Sequence, residues 1–243
     1  MKLYAYCLSR ADAKKPDDLI GLFDQKVSAI TQGQLAVFVS DMTAESVAVN
    51  KESVLTHQKV VAAVLEHTSP LPFRFGTVAS EAQLKSFLLS REESLLNKLS
   101  AVDGCVEMSV KVIWQNAGPA SLKHFYPDPP DTSAGVGTTF LREKSKEIAG
   151  SRELRARGDQ LASWFQKHVA PLVRDAHATV TPSQKLVLAA DCLVERSRIP
   201  SYRAALDQAR QERPDLHFLI SGPWAPYSFA NIDLEFKTQF GVS

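Results

Sequence analysis

The sequence predicts an α+β protein of two domains. Its 243 residues are compatible with one large domain or two small ones, and 44% of them are apolar, which is enough for a real core. Segments of alternating apolar and polar residues occur together with segments whose apolar residues recur at helical spacing. From Cys105 onward these segments follow the order strand, helix, strand, strand, helix, strand.

The first half of the chain begins with three predicted strands. Aromatic and apolar residues dominate 3–9, and two further strands, at 26–30 and 34–41, are predicted to form a hairpin. Gly33 supplies the positive φ that a tight hairpin turn requires. A helix over 17–30 is the alternative, because apolar residues of that stretch also lie on one helical face.

Two helices and one more strand complete the first half. Residues 51–67 carry apolar side chains at helical spacing, and the prolines of the stretch SPLPFRFGTV (69–78) end that helix. The last seven residues of the stretch predict a strand. Ser80 and Gln83 form a capping-box pattern at the start of a leucine-rich helix, and Gly104 follows the end of that helix.

The second half contains six predicted elements. They are a strand at 105–114, a helix from about 138 to 169, a hairpin of strands at 175–180 and 185–196, a helix that starts at Pro200, and a strand at 216–222. This order is that of the ferredoxin-like, split-βαβ fold, a four-stranded antiparallel sheet with two helices on one face. We therefore predict domains at 1–104 and 105–243, with the boundary near Gly104.

Composition and motifs exclude several classes of function. The net charge of +1 provides no bulk attraction to nucleic acid or to an anionic membrane, and no apolar run approaches the roughly 18 residues of a membrane span. The three cysteines are far apart and odd in number, which indicates reduced thiols in the cytoplasm. The histidines lack metal-ligand spacing, and the motifs for phosphate binding and for a nucleophilic serine are absent. We predict no cofactor, metal or catalytic residue.

Arg74 is the only charged residue in SPLPFRFGTV and is the first candidate site residue. In a strand, Phe73 and Phe75 point to one face and Arg74 to the other. Arginine presents five donors in a rigid fork, so we expect it to pair with a carboxylate or with backbone carbonyls and to fix the corner at Pro72. Direct contact with a partner is the alternative.

A second proline–aromatic stretch, SGPWAPYSFANIDLEF, covers residues 221–236 and is called the C-terminal strap below. Its candidate contact residues are Trp224, Tyr227 and Phe229, which project from a backbone stiffened by two prolines. One interpretation is a strap packed across the C-terminal domain. The other is an exposed aromatic contact patch.

A charged stretch at 141–160 lies in the long predicted helix of the second half. Its basic residues include Arg142, Lys146 and Arg155, and acidic residues are interspersed among them. A solvated face with local ion pairs is one interpretation. A docking surface for an acidic partner is the other, and a nucleic-acid surface is less well supported because the strands lack paired aromatic residues for base stacking.

Two motifs in this order resemble the gas vesicle protein F/L family (GvpF/GvpL). The first consists of SPLPFRFGTV, the helix that spans 84–99 and the strand VEMSVKV (106–112). The second is AADCLVERSRIPSYRAAL, which leads into ISGPWAPYSF (220–229). The similarity covers nearly the whole chain. Ala225 departs from the family pattern, which usually has proline at this position. Alanine there leaves the strap less rigid.

The resemblance implies a minor structural or assembly protein of gas vesicles, located in the cytoplasm and at the vesicle. It implies two α+β domains, the C-terminal one a modified ferredoxin-like domain, and binding to the main shell protein and to other accessory proteins. It implies no enzymatic activity, cofactor, nucleic acid or membrane. Two alternatives from the residues are a ferredoxin-like enzyme or small-ligand-binding protein with a site at the domain seam, and a nucleic-acid-binding module that uses the basic helix.

Overall fold

The chain divides into two compact units. The computed structural model describes residues 2–14, 16, 18–44, 46–114, 155–180 and 186–232. Unit 1 contains residues 1–107 together with those from Gly222 onward, and unit 2 contains residues 108–221. The chain first passes from unit 1 to unit 2 after Glu107, close to the predicted domain boundary at Gly104. The residues from Gly222 onward group with unit 1, whereas the sequence places them in the C-terminal domain.

Unit 1 is built on a five-stranded sheet. Its strands are β1 (Lys2–Arg10), β2 (Ser28–Gln32), β3 (Leu35–Asp41), β4 (Leu71–Pro72) and β5 (Val78–Ser80). Strand β1 is central and pairs antiparallel with β3, β4 and β5, while β2 pairs with β3. Residues 3–9 of β1 are all buried, as expected of a nearly continuous apolar run.

The predicted hairpin is confirmed by the pairing of β2 with β3. Gly33 in its turn has a φ of +57°, which glycine adopts without steric penalty. The alternative of a helix over 17–30 is wrong. A 3-10 turn at Leu22–Asp24 interrupts that stretch, and Phe23 inside it has a positive φ that no α-helix accommodates.

The N-terminal segment of unit 1 contains three α-helices within its described residues. They are α1 (Lys51–Leu65), α2 (Glu81–Ser90) and α3 (Glu92–Val102). The predicted capping box starts α2: the Gln83 backbone N–H donates to Ser80 Oγ at 3.2 Å, and Gln83 Oε1 accepts from the Ser80 N–H at 2.8 Å. The single leucine-rich helix of the prediction is in fact two helices, because the backbone at Arg91 leaves helical geometry.

The described strands and helices of unit 2 follow the predicted order along the chain. Its sheet has the hydrogen-bonded order β7-β8-β6-β9, and the strands are β6 (Cys105–Trp114), β7 (Val173–Val180), β8 (Leu186–Glu195) and β9 (Leu216–Trp224). Helix α4 is described over residues 155–169, and α5 covers Ile199–Glu212. Alternate residues of β6 (Met108, Val110, Val112) are buried, as expected when one face of the sheet is covered.

The two sheets, one in each unit, and the helices packed with them confirm the α+β class. The apolar residues that α4 and α5 bury include Leu161, Phe165, Tyr202 and Leu206, so both helices contribute to the core of unit 2. On α4, the rings of Trp164 and His168 also pack against each other, with centroids 4.6 Å apart. His168 Nε2 also lies 2.8 Å from Glu212 Oε2, which ties α4 to the end of α5.

Candidate functional site

The stretch SPLPFRFGTV forms a tight corner between β4 and β5. The Arg74 carbonyl accepts a hydrogen bond from the Thr77 N–H at 3.2 Å and another from Thr77 Oγ1 at 2.7 Å. Gly76 has a φ of +86°. The predicted strand over 72–78 is therefore wrong, because Gly76 and Thr77 close a turn on the Arg74 carbonyl. We call residues 73–77 the Arg74 corner.

The side chains of the Arg74 corner differ in exposure. Phe73 is buried, Phe75 is half-buried and the Arg74 side chain is exposed. The Phe73 N–H donates to the Tyr6 carbonyl at 2.9 Å, which ties the corner to β1. The main chain of Arg74 thus closes the corner, while its guanidinium is presented at the surface.

A cluster of polar aromatic groups lies beneath the Arg74 corner. The Gly76 N–H donates to Tyr4 Oη at 3.1 Å, and Tyr4 Oη lies 2.9 Å from Nδ1 of His57 on α1. The Phe75 ring packs edge-on against Tyr4 and His57, with centroids 6.2 and 5.8 Å away. Burial lowers the pKa of His57 from 6.5 to about 4 and raises the pKa of Tyr4.

Neither Tyr4 nor His57 is among the predicted site residues. The sequence does contain a signal that Tyr4 and Tyr6 act together, because side chains two positions apart in a strand lie on the same face of the sheet. Tyr6 Oη accepts from the Leu22 N–H at 2.7 Å and lies 2.8 Å from Ser40 Oγ. His57 has no such signal, because its partner Tyr4 lies 53 residues away in the sequence.

The C-terminal strap is anchored in unit 1. Its residues Tyr227–Ala230 form a short helical turn, α6, that contacts β4. Glu107, whose surface is only 5% exposed, accepts from the Ser228 N–H at 2.7 Å and from Ser228 Oγ at 3.1 Å. Lys98 Nζ of α3 donates to the carbonyl of Asn231. The strap therefore packs on the domain to which the other proline–aromatic motif belongs.

The strap both packs and exposes aromatic surface. Ala225 and Pro226 are buried, and Phe229 is half-buried. Trp224 and Tyr227 remain 44% and 38% exposed. Partial burial, with Cys7 and Glu107 near it, raises the pKa of Tyr227. The interpretation as a packed strap thus applies to Ala225 and Pro226, and the interpretation as an exposed aromatic patch applies to Trp224 and Tyr227.

The two proline–aromatic motifs meet in unit 1. Strand β4 belongs to the first motif and contacts α6 of the second. The ring of Tyr4 packs against Phe75 of the first motif. We call Arg74, Phe75, Trp224 and Tyr227 the junction surface. It combines exposed aromatic area with one arginine, the residue types that dominate binding energy in protein interfaces.

The remaining predicted site residues lie elsewhere. Arg142 and Lys146 fall outside the described residues. Arg155 is exposed at the first described position of α4, in unit 2. Arg74 and the aromatic residues of the strap therefore lie in unit 1, and Arg155 is a separate candidate in unit 2.

Metal binding and membrane spanning also bear on function. In the part of the chain that the structure describes, no group of three or more His, Cys, Asp or Glu side chains is arranged to hold a metal ion. Over the same residues, no helix is both long enough and apolar enough to span a membrane.

Comparisons with known proteins agree on one family. A family model described as gas vesicle synthesis protein GvpL/GvpF matches residues 2–231. The chain is 30% identical to gas vesicle protein F of Streptomyces sp. over 245 residues, which cover 94% of this chain and 99% of that protein. It is 27% identical to gas vesicle protein L2 of Halobacterium salinarum, with 93% of this chain and 90% of that protein covered.

Solved structures give the same result for the fold. The crystal structure of GvpF from Microcystis aeruginosa is similar with a TM-score of 0.77 at 19% identity, covering 95% of this chain and 99% of that one. GvpF from Anabaena sp. also gives a TM-score of 0.77, at 18% identity, with 96% and 99% covered. The chain therefore belongs to the gas vesicle GvpL/GvpF family.

Proposed function

We propose that this protein is an assembly factor of gas vesicles that binds the main shell protein and other accessory proteins through its junction surface. The observation that carries the proposal is the meeting of two distant motifs in unit 1, where Trp224 and Tyr227 stay exposed on an anchored strap. Family membership and the names of the relatives support a role in the gas vesicle, and hence a location there and in the cytoplasm.

The physical basis of this binding is burial of apolar surface. Each Å² of apolar surface removed from water contributes about 25 cal/mol, and the rings of Trp224 and Tyr227 still have such surface to bury. The hydrogen bonds from Ser228 to Glu107 hold the strap in place before a partner arrives, so less conformational entropy is lost on binding. A chaperone-like factor would cover an apolar shell subunit in this way until the subunit enters the wall.

We also infer that unit 2 is a modified ferredoxin-like domain. Its element order of strand, helix, strand, strand, helix, strand and the sheet order β7-β8-β6-β9 are those of the split-βαβ arrangement. Such domains present one helical layer and one open sheet face. Arg155 on α4 is exposed in the helical layer, so an acidic partner could bind there as a second contact.

Co-purification tests the proposal. The tagged chain is co-expressed with the main gas vesicle shell protein, and the recovered shell protein is quantified. We expect specific recovery, and a decrease of about tenfold or more when Trp224→Ala and Tyr227→Ala are combined, because each is a large aromatic contact. Arg155→Glu tests the second contact in the same assay.

The matched control is Leu89→Ala. Leu89 is 65% exposed on α2, so the substitution removes exposed apolar surface outside the junction surface. Recovery that is unchanged in the strap double variant, or reduced equally by Leu89→Ala, would contradict binding through the junction surface. Loss of recovery with Arg155→Glu alone would place the contact on α4 instead.

A further inference from the structure

We propose that Tyr4 and His57 form an acid-sensitive latch that holds the Arg74 corner against α1 and releases it when His57 is protonated. The Tyr4–His57 latch consists of one hydrogen-bond chain, from Gly76 through Tyr4 to His57. The inference concerns the fold of unit 1 and does not depend on the gas vesicle role. It follows from the direction in which the hydrogen bonds run.

The direction of the chain follows from its two buried donors. The Gly76 backbone N–H can only donate, so Tyr4 Oη accepts from it. Tyr4 is fully buried, and within the described residues its hydroxyl hydrogen has one acceptor, Nδ1 of His57 at 2.9 Å, so we assign this bond as running from Tyr4 to His57. This assignment makes His57 neutral, with its proton on Nε2. The Gly76 N–H and the Tyr4 hydroxyl then both have acceptors.

The surroundings of His57 offer little support for a positive charge. The residue is 2% exposed, and its Nε2 makes no hydrogen bond of ordinary geometry within the described residues. The Phe73 carbonyl favours the charged ring, but desolvation outweighs this effect and brings the pKa down to about 4. The rings around it, Tyr4, Tyr6 and Phe75, are uncharged.

Ionisable groups on the elements around α1 are few and mostly at the surface. Strand β1 contributes Tyr4 and Tyr6, whose pKa values burial raises, so both stay neutral. The Arg74 corner contributes an exposed guanidinium, and the turn at Leu22–Asp24 contributes exposed Asp24. The strap contributes Tyr227, whose pKa burial raises, so it too stays neutral. A positive charge on His57 would therefore be solvated only if the structure opened around it.

Protonation at Nδ1 breaks the chain. Nδ1 then becomes a donor, so Tyr4 Oη would have two donors directed at it and its own hydrogen would lose its acceptor in a buried site. Buried polar groups without partners are costly, and the Gly76 N–H of the Arg74 corner donates to the same hydroxyl. The expected response to acid is local opening of residues 73–77 before the protein unfolds as a whole.

Amide hydrogen exchange of the full chain tests the latch. Protection factors for residues 73–77, which correct for the intrinsic pH dependence of exchange, are compared from pH 7.5 to pH 4.5. If His57 takes up one proton when the corner opens, the protection factors should decrease about tenfold for each pH unit below 6.5. Protection of 73–77 that is constant with pH, or that falls only together with that of β8 in unit 2, would overturn the proposal.

Two substitutions separate the latch from general acid effects. His57→Asn places Oδ1 near the position of Nδ1, so it can accept from Tyr4 but cannot take up a proton, and protection should become independent of pH. His67→Asn is the matched control, because His67 is exposed just after the end of α1, and it should leave the response intact. A pH response that survives His57→Asn would contradict the latch.

A direct measurement covers the case in which His57→Asn fails to fold. Nitrogen NMR of the imidazole rings in the unmodified chain reports the tautomer of each histidine. We expect His57 as the Nε2–H tautomer at pH 7.5, without titration above about pH 5 while residues 73–77 are protected. An Nδ1–H tautomer at pH 7.5, or titration near 6.5 with the corner closed, would overturn the latch.

Discussion

Glu107 and Ser228 lie 121 positions apart and are joined by two hydrogen bonds, from the Ser228 N–H at 2.7 Å and from its hydroxyl at 3.1 Å. Glu107 is the residue at which the chain leaves unit 1, and the C-terminal strap follows its return at Gly222. The pair therefore closes unit 1 across an insertion of more than 100 residues that folds as unit 2. This relationship leads to the first prediction.

Glu107→Ala should destabilise the chain by about 2 kcal/mol, because it leaves the partly buried Ser228 N–H without its acceptor. Urea denaturation at pH 7 measures the change. The control is Ser228→Ala, which removes only the hydroxyl bond and should cost about 1 kcal/mol. Equal effects of both variants would show that the backbone bond does not anchor the strap.

Arg74→Ala should change the free energy of unfolding by less than about 0.5 kcal/mol, because the side chain is exposed and the corner is closed by its carbonyl. Binding of a gas vesicle partner should decrease in the same variant. Thr77→Val, which deletes the hydroxyl that donates to that carbonyl, should instead cost about 1 kcal/mol. A large loss of stability in Arg74→Ala would favour the expected anchoring role of its guanidinium.

Gly33→Ala and Gly104→Ala form a matched pair. Both glycines have positive φ, +57° and +69°, so each alanine costs about 1–2 kcal/mol from backbone strain. A Cβ at Gly33 would also lie 2.1 Å from Glu92 Oε1, which accepts from the Gln34 N–H, whereas nothing lies within 4 Å at Gly104. We expect Gly33→Ala to be the more destabilising by thermal denaturation. The difference should vanish in a Glu92→Ala background.

Stability should fall in mild acid because of His57. Burial lowers its pKa from 6.5 in an unfolded chain to about 4. Between these values the unfolded chain binds a proton that the folded chain does not, so the free energy of unfolding falls as the pH falls, by about 3 kcal/mol across the window. Urea denaturation from pH 7.5 to pH 4 measures the loss. An equal loss in His57→Asn would assign it to other groups.

The three cysteines should be unreactive in the folded protein. Cys7, Cys105 and Cys192 are fully buried and form no disulfide, and burial raises the pKa of the Cys7 thiol, which keeps it protonated. A chromogenic disulfide reagent should therefore modify none of them at pH 8 and all three in urea. Rapid native modification of one thiol would show local opening around that cysteine.

Local sequence signals predicted much of the fold. The hairpin follows from two apolar runs around Gly33, and the start of α2 follows from the Ser80 and Gln83 pair. The order of elements in unit 2 follows from alternation and helical periodicity. In each case the residues that determine the structure lie within a few positions of one another.

The remaining features depend on contacts between distant residues. The strand predicted over 72–78 is a turn, because the Thr77 N–H and hydroxyl donate to the Arg74 carbonyl and the Gly76 N–H donates to Tyr4 Oη. The strap is bonded to unit 1 through Glu107. In the sequence, Glu107 is only one of the polar residues that alternate with apolar residues along its strand. Sequence therefore indicated Arg74 and Trp224 separately as candidates, and only the fold brings their motifs together.

Site-specific photo-crosslinking tests the central claim that the two motifs form one contact surface. A photoreactive phenylalanine analogue replaces Phe75 or Tyr227 in cells that assemble gas vesicles, and Leu89 serves as the control position. We expect positions 75 and 227 both to crosslink to the same gas vesicle protein and position 89 not to crosslink to it. Crosslinks to different proteins, or a crosslink only at position 89, would contradict it.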